Sequence, residues 1–222
     1  MKICLNILIA VLCNWTCFSQ NFSPNDQAKI DSLKAVIVEQ GSNDTVVINS
    51  LLELAIYYYS TNPDTTITMC TQAGELSEKN NYVTGKSDSY SWLGYLFEKK
   101  GNLSKALGYQ KRSLKINKET QDKLGIAHNL NNIGLIYQRR GDVATALDYF
   151  QRSLKIRTDI MDKPGIATSL NNIGFVYQIH GDVSNALAYY LRSLKIDEEI
   201  GNKKGIAGSL NNIGLIYKTQ GD

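Results

Sequence analysis

The chain has 222 residues, enough to bury a sizeable core, and its 24 basic residues stand against 21 acidic ones for a formal net charge of +3. That near-balance, with no concentrated basic face, argues against a nucleic-acid binder working by electrostatics. Of the 4 cysteines, Cys4, Cys13 and Cys17 fall in an N-terminal leader. Cys70 alone would remain in the mature chain, and one cysteine makes neither an intramolecular disulfide nor a metal site.

Residues 1–19 read as a signal peptide. Lys2 is a minimal charged start, Ile3 to Cys13 is apolar apart from Asn6, and Cys17-Phe18-Ser19 sets small residues for cleavage before Gln20. The apolar run is short for a membrane span. Leu12 before Cys13 and Trp15-Thr16 before Cys17 fit a lipoprotein signal poorly. The expected location is therefore secreted or periplasmic, with membrane anchoring in a longer parent protein as a further expectation. Residues 20–44 are expected to form an N-terminal capping helix. Ser23 and Pro24 occupy N-cap and first-turn positions, and Ile30, Leu33, Ile37 and Val38 follow at helical spacing.

From Thr45 the chain repeats. The forty residues from Gly125 to Pro164 and the forty from Gly165 to Lys204 share 23 of 40 identities without a gap, and a third copy runs from Gly205 to Asp222. The register extends back through 85–124, with Leu93, Gly94, Phe97, Gly101 and Ala106 in phase. It reaches 45–84 more loosely, where Tyr57 and Ala73 are in phase but Glu53-Leu54 replace an apolar residue and glycine. The repeat domain is thus 45–222, with units 45–84, 85–124, 125–164 and 165–204 and a partial unit 205–222. Fixed-period self-similarity marks a solenoid, in which each unit buries its apolar face only against its neighbours.

Within a unit the physics is plain. Ile126, Leu130, Ile133, Gly134 and Tyr137 fall on one stripe of a helix. Gly141-Asp142 breaks it, glycine supplying the turn and Asp142 a cap. A second helix carries Ala146, Phe150, Leu154 and Ile156, and Asp162-Lys163-Pro164 is expected to end it. Glycine inside a helix costs about 1 kcal/mol against alanine. Its recurrence as Gly94, Gly134, Gly174 and Gly214 therefore implies a close helix crossing.

This pattern resembles the tetratricopeptide repeat: Leu130, Ile133-Gly134, Tyr137, Ala146, Phe150 and Ser153, then Leu170, Ile173-Gly174, Tyr177, Ala186, Tyr190 and Ser193. Serine replaces the family's last alanine, and the usual proline is missing at Thr158 and Glu198. The forty-residue period exceeds the usual 34 by about 9 Å of helix, so the second helix or its loop should be longer. Length and the Leu-Asn-Asn run are similar to the kinesin-light-chain subclass. The resemblance implies an all-α fold, a right-handed α-solenoid of antiparallel helix pairs. It also implies a protein or peptide partner held in a concave groove, with no cofactor.

With Leu130 set at zero and about 100° per residue, Asn132 points about 200° away from the core stripe. The candidate groove is Trp92, Tyr95, His128, Asn132, Leu135, Arg139, Asn172, Phe175, Asn212 and Leu215, with Asp88, Lys99, Thr168, Ile179, Gly208 and Thr219 on the same face. An asparagine amide both donates and accepts, and related repeat proteins use such rows to hold a peptide backbone. The alternative is that these amides bond to the backbone of the adjacent repeat. Asn131, Asn171 and Asn211 lie nearer the repeat interface and read as structural. A ladder of Arg112/Lys115, Arg152/Lys155 and Arg192/Lys195 on the second helices reads as a solvated face with local ion pairs, the rival being an anionic contact strip.

Catalytic patterns are missing. His128 and His180 sit in no metal-ligand motif, and the sequence holds neither a phosphate-binding glycine loop nor a nucleophile elbow. The expectation is a non-enzyme with no catalytic or metal site and no small-molecule substrate. The end at Gly221-Asp222 would leave Ile213, Ile216 and Tyr217 without a partner helix, which suggests either self-association there or a fragment of a longer chain. The layout also resembles the N-terminal sensory part of bacterial signalling proteins. An extracytoplasmic input domain preceding a histidine kinase or cyclase is therefore the alternative function.

Overall fold

A computed structural model describes residues 22–40 and 45–220. The signal-peptide expectation for residues 1–19 lies outside them. The described residues form ten helices and no strand: α1 (Pro24–Gln40), α2 (Thr45–Tyr58), α3 (Pro63–Lys79), α4 (Val83–Lys99), α5 (Leu103–Glu119), α6 (Lys123–Arg139), α7 (Val143–Asp159), α8 (Lys163–Ile179), α9 (Val183–Glu199) and α10 (Lys203–Gln220). Neighbours in sequence pack as antiparallel pairs, as the α-solenoid reading requires.

Short polar residues set the helix starts. The Asp122 carboxylate accepts from the Gly125 amide at 3.0 Å, Asp142 from Thr145 at 3.2 Å, Asp162 from Gly165 at 3.1 Å and Asp182 from Asn185 at 3.1 Å. Such a cap contributes about 1 kcal/mol. Ser23 does the same for α1, its Oγ accepting from the Asp26 amide. Asp162-Lys163-Pro164 therefore opens α8 rather than ending α7, because Asp162 is its N-cap and Pro164 fits the first turn, where no amide donor is needed. The extra length of the repeat is also placed differently from the expectation. Both helices of a unit have 17 residues, as in α6 and α7, so the surplus is shared between them.

Two kinds of turn join them. Inside a hairpin Gly101, Gly141 and Gly181 take φ of +77°, where glycine alone is unstrained. Between units the equivalent positive φ falls on Asn81, Gln121, Met161 and Gly201.

The chain divides into two compact units, Met1–Ile116 and Asn117–Asp222. In the first, α1 packs onto the helices that follow it: Ile30, Leu33 and Ile37 join one core with Val47, Ile48, Leu51, Leu54, Met69, Cys70, Ala73, Leu93 and Leu96. Because α2 is covered by α1 as well as α3, its buried stripe widens to Ile48, Leu52 and Ala55, while Ile56, at a position buried in α4, is exposed.

In the second unit the close crossings are real. A Cβ on Gly134 would lie 2.6 Å from the buried Phe150 ring, and one on Gly174 would lie 2.9 Å from Tyr190. The serines that replace the family alanine donate across the hairpin, Ser153 to the Ala127 carbonyl and Ser193 to that of Ala167, both at 2.8 Å. Tyr137 stacks on Tyr149 and Tyr177 on Tyr189, with centroids 5.6 and 5.5 Å apart. The expectation that α10 leaves its apolar stripe bare is corrected in part. Ile216 is buried against Ala186 and Tyr190, with Ile213 partly buried beside it, while Leu210, Leu215 and Tyr217 are exposed.

Candidate partner-binding face

The outward face of the first helices is built differently in the two units. In the first, Trp92 and Tyr95 of α4 are half-buried because each meets the other and Tyr59. The three ring centroids are 5.9 to 6.0 Å apart, and Lys99 Nζ lies 5.3 Å over Tyr95. Burial pushes the Tyr95 phenol above its ordinary pKa. A pocket of about 280 Å³ opens beside Trp92, lined also by Leu52, Glu53, Ile56, Asp88 and Ser91. Tyr59 was absent from the sequence reading. Its signal was the register itself, since it stands one period before Lys99 and two before Arg139.

In the second unit the same face carries Phe175, Ile179 and Leu215 at 40%, 51% and 47% exposure. Leu135 is half-buried against the Ala146–Phe150 cluster, Asn132 is half-buried and Arg139 is exposed. The asparagines form a ladder between repeats. Asn172 Nδ2 donates to Asn131 Oδ1 at 2.9 Å, Asn212 Nδ2 to Asn171 Oδ1 at 3.0 Å, and Asn171 Nδ2 to Ser209 Oγ at 3.1 Å. The reading in which these amides bond the adjacent repeat thus describes their donors, although the acceptor is a side chain and not backbone. An amide carbonyl keeps acceptor capacity beyond its N–H groups, and no described residue donates to Oδ1 of Asn172 or Asn212.

His128 stands at the rim of this face, exposed, with Nδ1 3.2 Å from the Arg157 guanidinium. Burial of that edge and then the Arg157 charge hold its pKa below the ordinary value. Arg157 is itself buried, donating to Asp162 Oδ2 at 2.6 Å and to Ser153 Oγ at 3.2 Å. His180 caps the end of α8 and is exposed.

The arginine ladder on the second helices lies over the hairpin tyrosines. The Arg112, Arg152 and Arg192 guanidinium carbons stand 5.6, 5.1 and 5.3 Å from the Tyr109, Tyr149 and Tyr189 centroids, and Arg152 also pairs with Asp148 at 3.1 Å. Such contacts contribute about 0.5–1 kcal/mol at exposed sites. Cys70 is buried and free, its thiol pushed up to about 12 by burial, which makes it a core residue and not a nucleophile. Among the described residues no group of three or more His, Cys, Asp or Glu could hold a metal ion, and no helix is long and apolar enough to cross a membrane.

Successive helical hairpins, two of them with a glycine-on-aromatic crossing, define a helical-repeat protein. The chain belongs to the tetratricopeptide repeat family, whose model matches residues 86–159 and 165–222. No curated protein matches the sequence. Among solved structures, it is similar to a Rap protein complexed with competence and sporulation factor, at 17% identity and a TM-score of 0.73 over 86% of this chain and 57% of that one. Aspartyl phosphate phosphatase F from Bacillus subtilis gives 15% identity and a TM-score of 0.70 over 76% and 45%. A putative kinesin light chain of nearly identical TPR-like repeats from Podospora anserina gives 16% and 0.62 over 78% and 87%. The chain spans about half the length of the first two. These likenesses show the fold, and with the family they support a protein-interaction repeat module.

Proposed function

We propose that the chain is a non-enzymatic, extracytoplasmic module that binds an extended peptide or protein segment in a groove along the outward face of its first helices. The observation that carries this is the exposed apolar row Phe175, Ile179 and Leu215, set beside the Asn172 and Asn212 carbonyl oxygens. Apolar side chains left about half in water at that spacing are available to bury against a partner. The amide oxygens beside them can accept from a peptide backbone without reading its sequence. In the first unit the Trp92–Tyr95–Tyr59 cluster and its adjoining pocket offer a stronger anchor, because aromatic rings bury large areas at little entropic cost. The Rap neighbour, complexed with competence and sporulation factor, is consistent with such use of a similar fold. Extracytoplasmic placement rests on the leader at residues 1–19 alone.

The test is peptide selection from a random display library against the mature span from Gln20, followed by titration of the best binder. Phe175→Ser and Trp92→Ala should each weaken binding at least tenfold at unchanged helicity. Unchanged affinity in both variants contradicts the proposal.

A further inference from the structure

One position in the repeat is polar, buried and different in every unit: Ser77, Asn117, Arg157 and Asp197. Each packs where a glycine opens the next unit. A Cβ on Gly85, Gly125, Gly165 or Gly205 would come within 2.6 Å or less of that side chain. In the third unit the position holds a charge that is compensated inside the protein, Arg157 against Asp162. Forty residues on, three members of that group have changed. Asp197 replaces Arg157, Asn202 replaces Asp162 and Thr168 replaces His128, while Ser193 keeps the place of Ser153.

The result is a carboxylate at 2% exposure whose partner is a neutral amide, Asn202 Nδ2 donating to Asp197 Oδ1 at 2.7 Å. Asp197 makes no ion pair among the described residues. Beside it opens a pocket of about 220 Å³, lined by Asp197, Asn202, Ser193, Asn171, Asn172 and Thr168 among others, with no cationic residue in its wall. A carboxylate has acceptor capacity beyond the one side-chain donor it meets here, and an incoming cation supplies charge-assisted N–H donors to it. The exposed Thr168 and Gly208 at the pocket mouth are positions of the proposed groove face, so the opening faces a bound segment.

We infer that this pocket receives a cationic side chain, the guanidinium of an arginine or the ammonium of a lysine, from the partner segment. The Asp197 carboxylate supplies the counter-charge and the amide and hydroxyl oxygens of the wall accept the remaining N–H groups. The donor set holds one carboxylate, too few for a divalent metal, and the chemistry is that of an organic cation. As a partner site, the inference rests on the groove reading above.

The test has two arms. In the first, ethylguanidinium and butylammonium are titrated at constant ionic strength into isotope-labelled protein and followed by amide NMR. Saturable shifts are expected at Gly205, Gly208 and the Asn202 side chain, at least tenfold weaker in Asp197→Asn. They should be abolished in Asp197→Arg combined with Asn202→Asp, which rebuilds the pair of the preceding unit and reports on folding. No saturable shift there, or equal affinity in Asp197→Asn, overturns the pocket. In the second arm, a library-selected basic peptide has its arginine replaced by citrulline or its lysine by norleucine. Affinity should fall at least tenfold for the native protein and hardly change for Asp197→Asn. An equal fall in both proteins overturns the partner assignment. Absence of any selectable peptide, with the cation shifts intact, sinks the groove reading and the partner assignment together and leaves the pocket a small-cation site.

Discussion

The two compact units solve the same crossing with opposite volumes. In the second, glycine on the first helix admits a large ring on the second, Gly134 under Phe150 and Gly174 under Tyr190. In the first hairpin of the other unit, Leu54 stands at the glycine position and Cys70 at the ring position, both fully buried. Its second hairpin is intermediate, with Gly94 under the Gln110 side chain. Cores tolerate exchange when summed volume is kept, so the loose first repeat is a size swap and not a lapse of the pattern. The cost of precise repetition falls elsewhere. The near-identical repeats of the second unit hold small separate clusters joined by asparagine and serine bonds, whereas the first unit shares one larger core with its capping helix.

Removing the rings should have the largest effect. Phe150→Ala and Tyr190→Ala are each expected to lose about 3–5 kcal/mol in urea unfolding, against about 1 kcal/mol for Cys70→Ala. The swap sharpens this. Cys70→Phe alone should cost about 1–3 kcal/mol by overpacking, and adding Leu54→Gly should recover part of it. A strictly additive pair would break the volume argument.

Glycine replacements come next and should differ in sign. Gly134→Ala places Cβ against a rigid buried ring, so it should lose about 1–2 kcal/mol net of the better helix propensity. At Gly214 nothing lies within 4 Å, and Gly214→Ala should gain up to about 1 kcal/mol. Matching signs in the two melting curves would show that the crossing does not select glycine.

The smallest effect is in pH. The His128 pKa lies below its unfolded value, so the unfolded chain binds more protons between the two values. Stability attributable to His128 is complete above about pH 6.5 and falls as pH drops through the window between the unfolded and the lower folded pKa. His128→Thr, the residue of the next repeat, should flatten that part of the stability profile. An unchanged profile would mean that burial and the Arg157 charge do not hold this histidine below its ordinary value.

Much of this was legible beforehand, because a solenoid writes its contacts at a fixed period. The helix pairs, the crossings at Gly134 and Gly174 and the cap at Asp142 follow from residues that recur at forty. Sequence failed where geometry depends on a second element. The helical angle sets Asn172 and Asn212 outward, but at half-burial their donors meet Asn131 and Asn171 of the neighbouring helix. The ring cluster needed Tyr59, which lies one period before Lys99 yet differs from it in chemistry. The Ser77, Asn117, Arg157 and Asp197 position carries no periodic signal, because its information lies in what does not repeat.

The most direct test of the interaction face is a hydrogen-exchange footprint of a library-selected peptide on the mature span from Gln20. Protection is predicted along the first helices, α4 around Trp92 and Tyr95 and α8 around Phe175 and Ile179, with little change on α7 and α9. Protection concentrated on the Arg152 and Arg192 strip of the second helices, with α4 and α8 unaffected, would contradict the account.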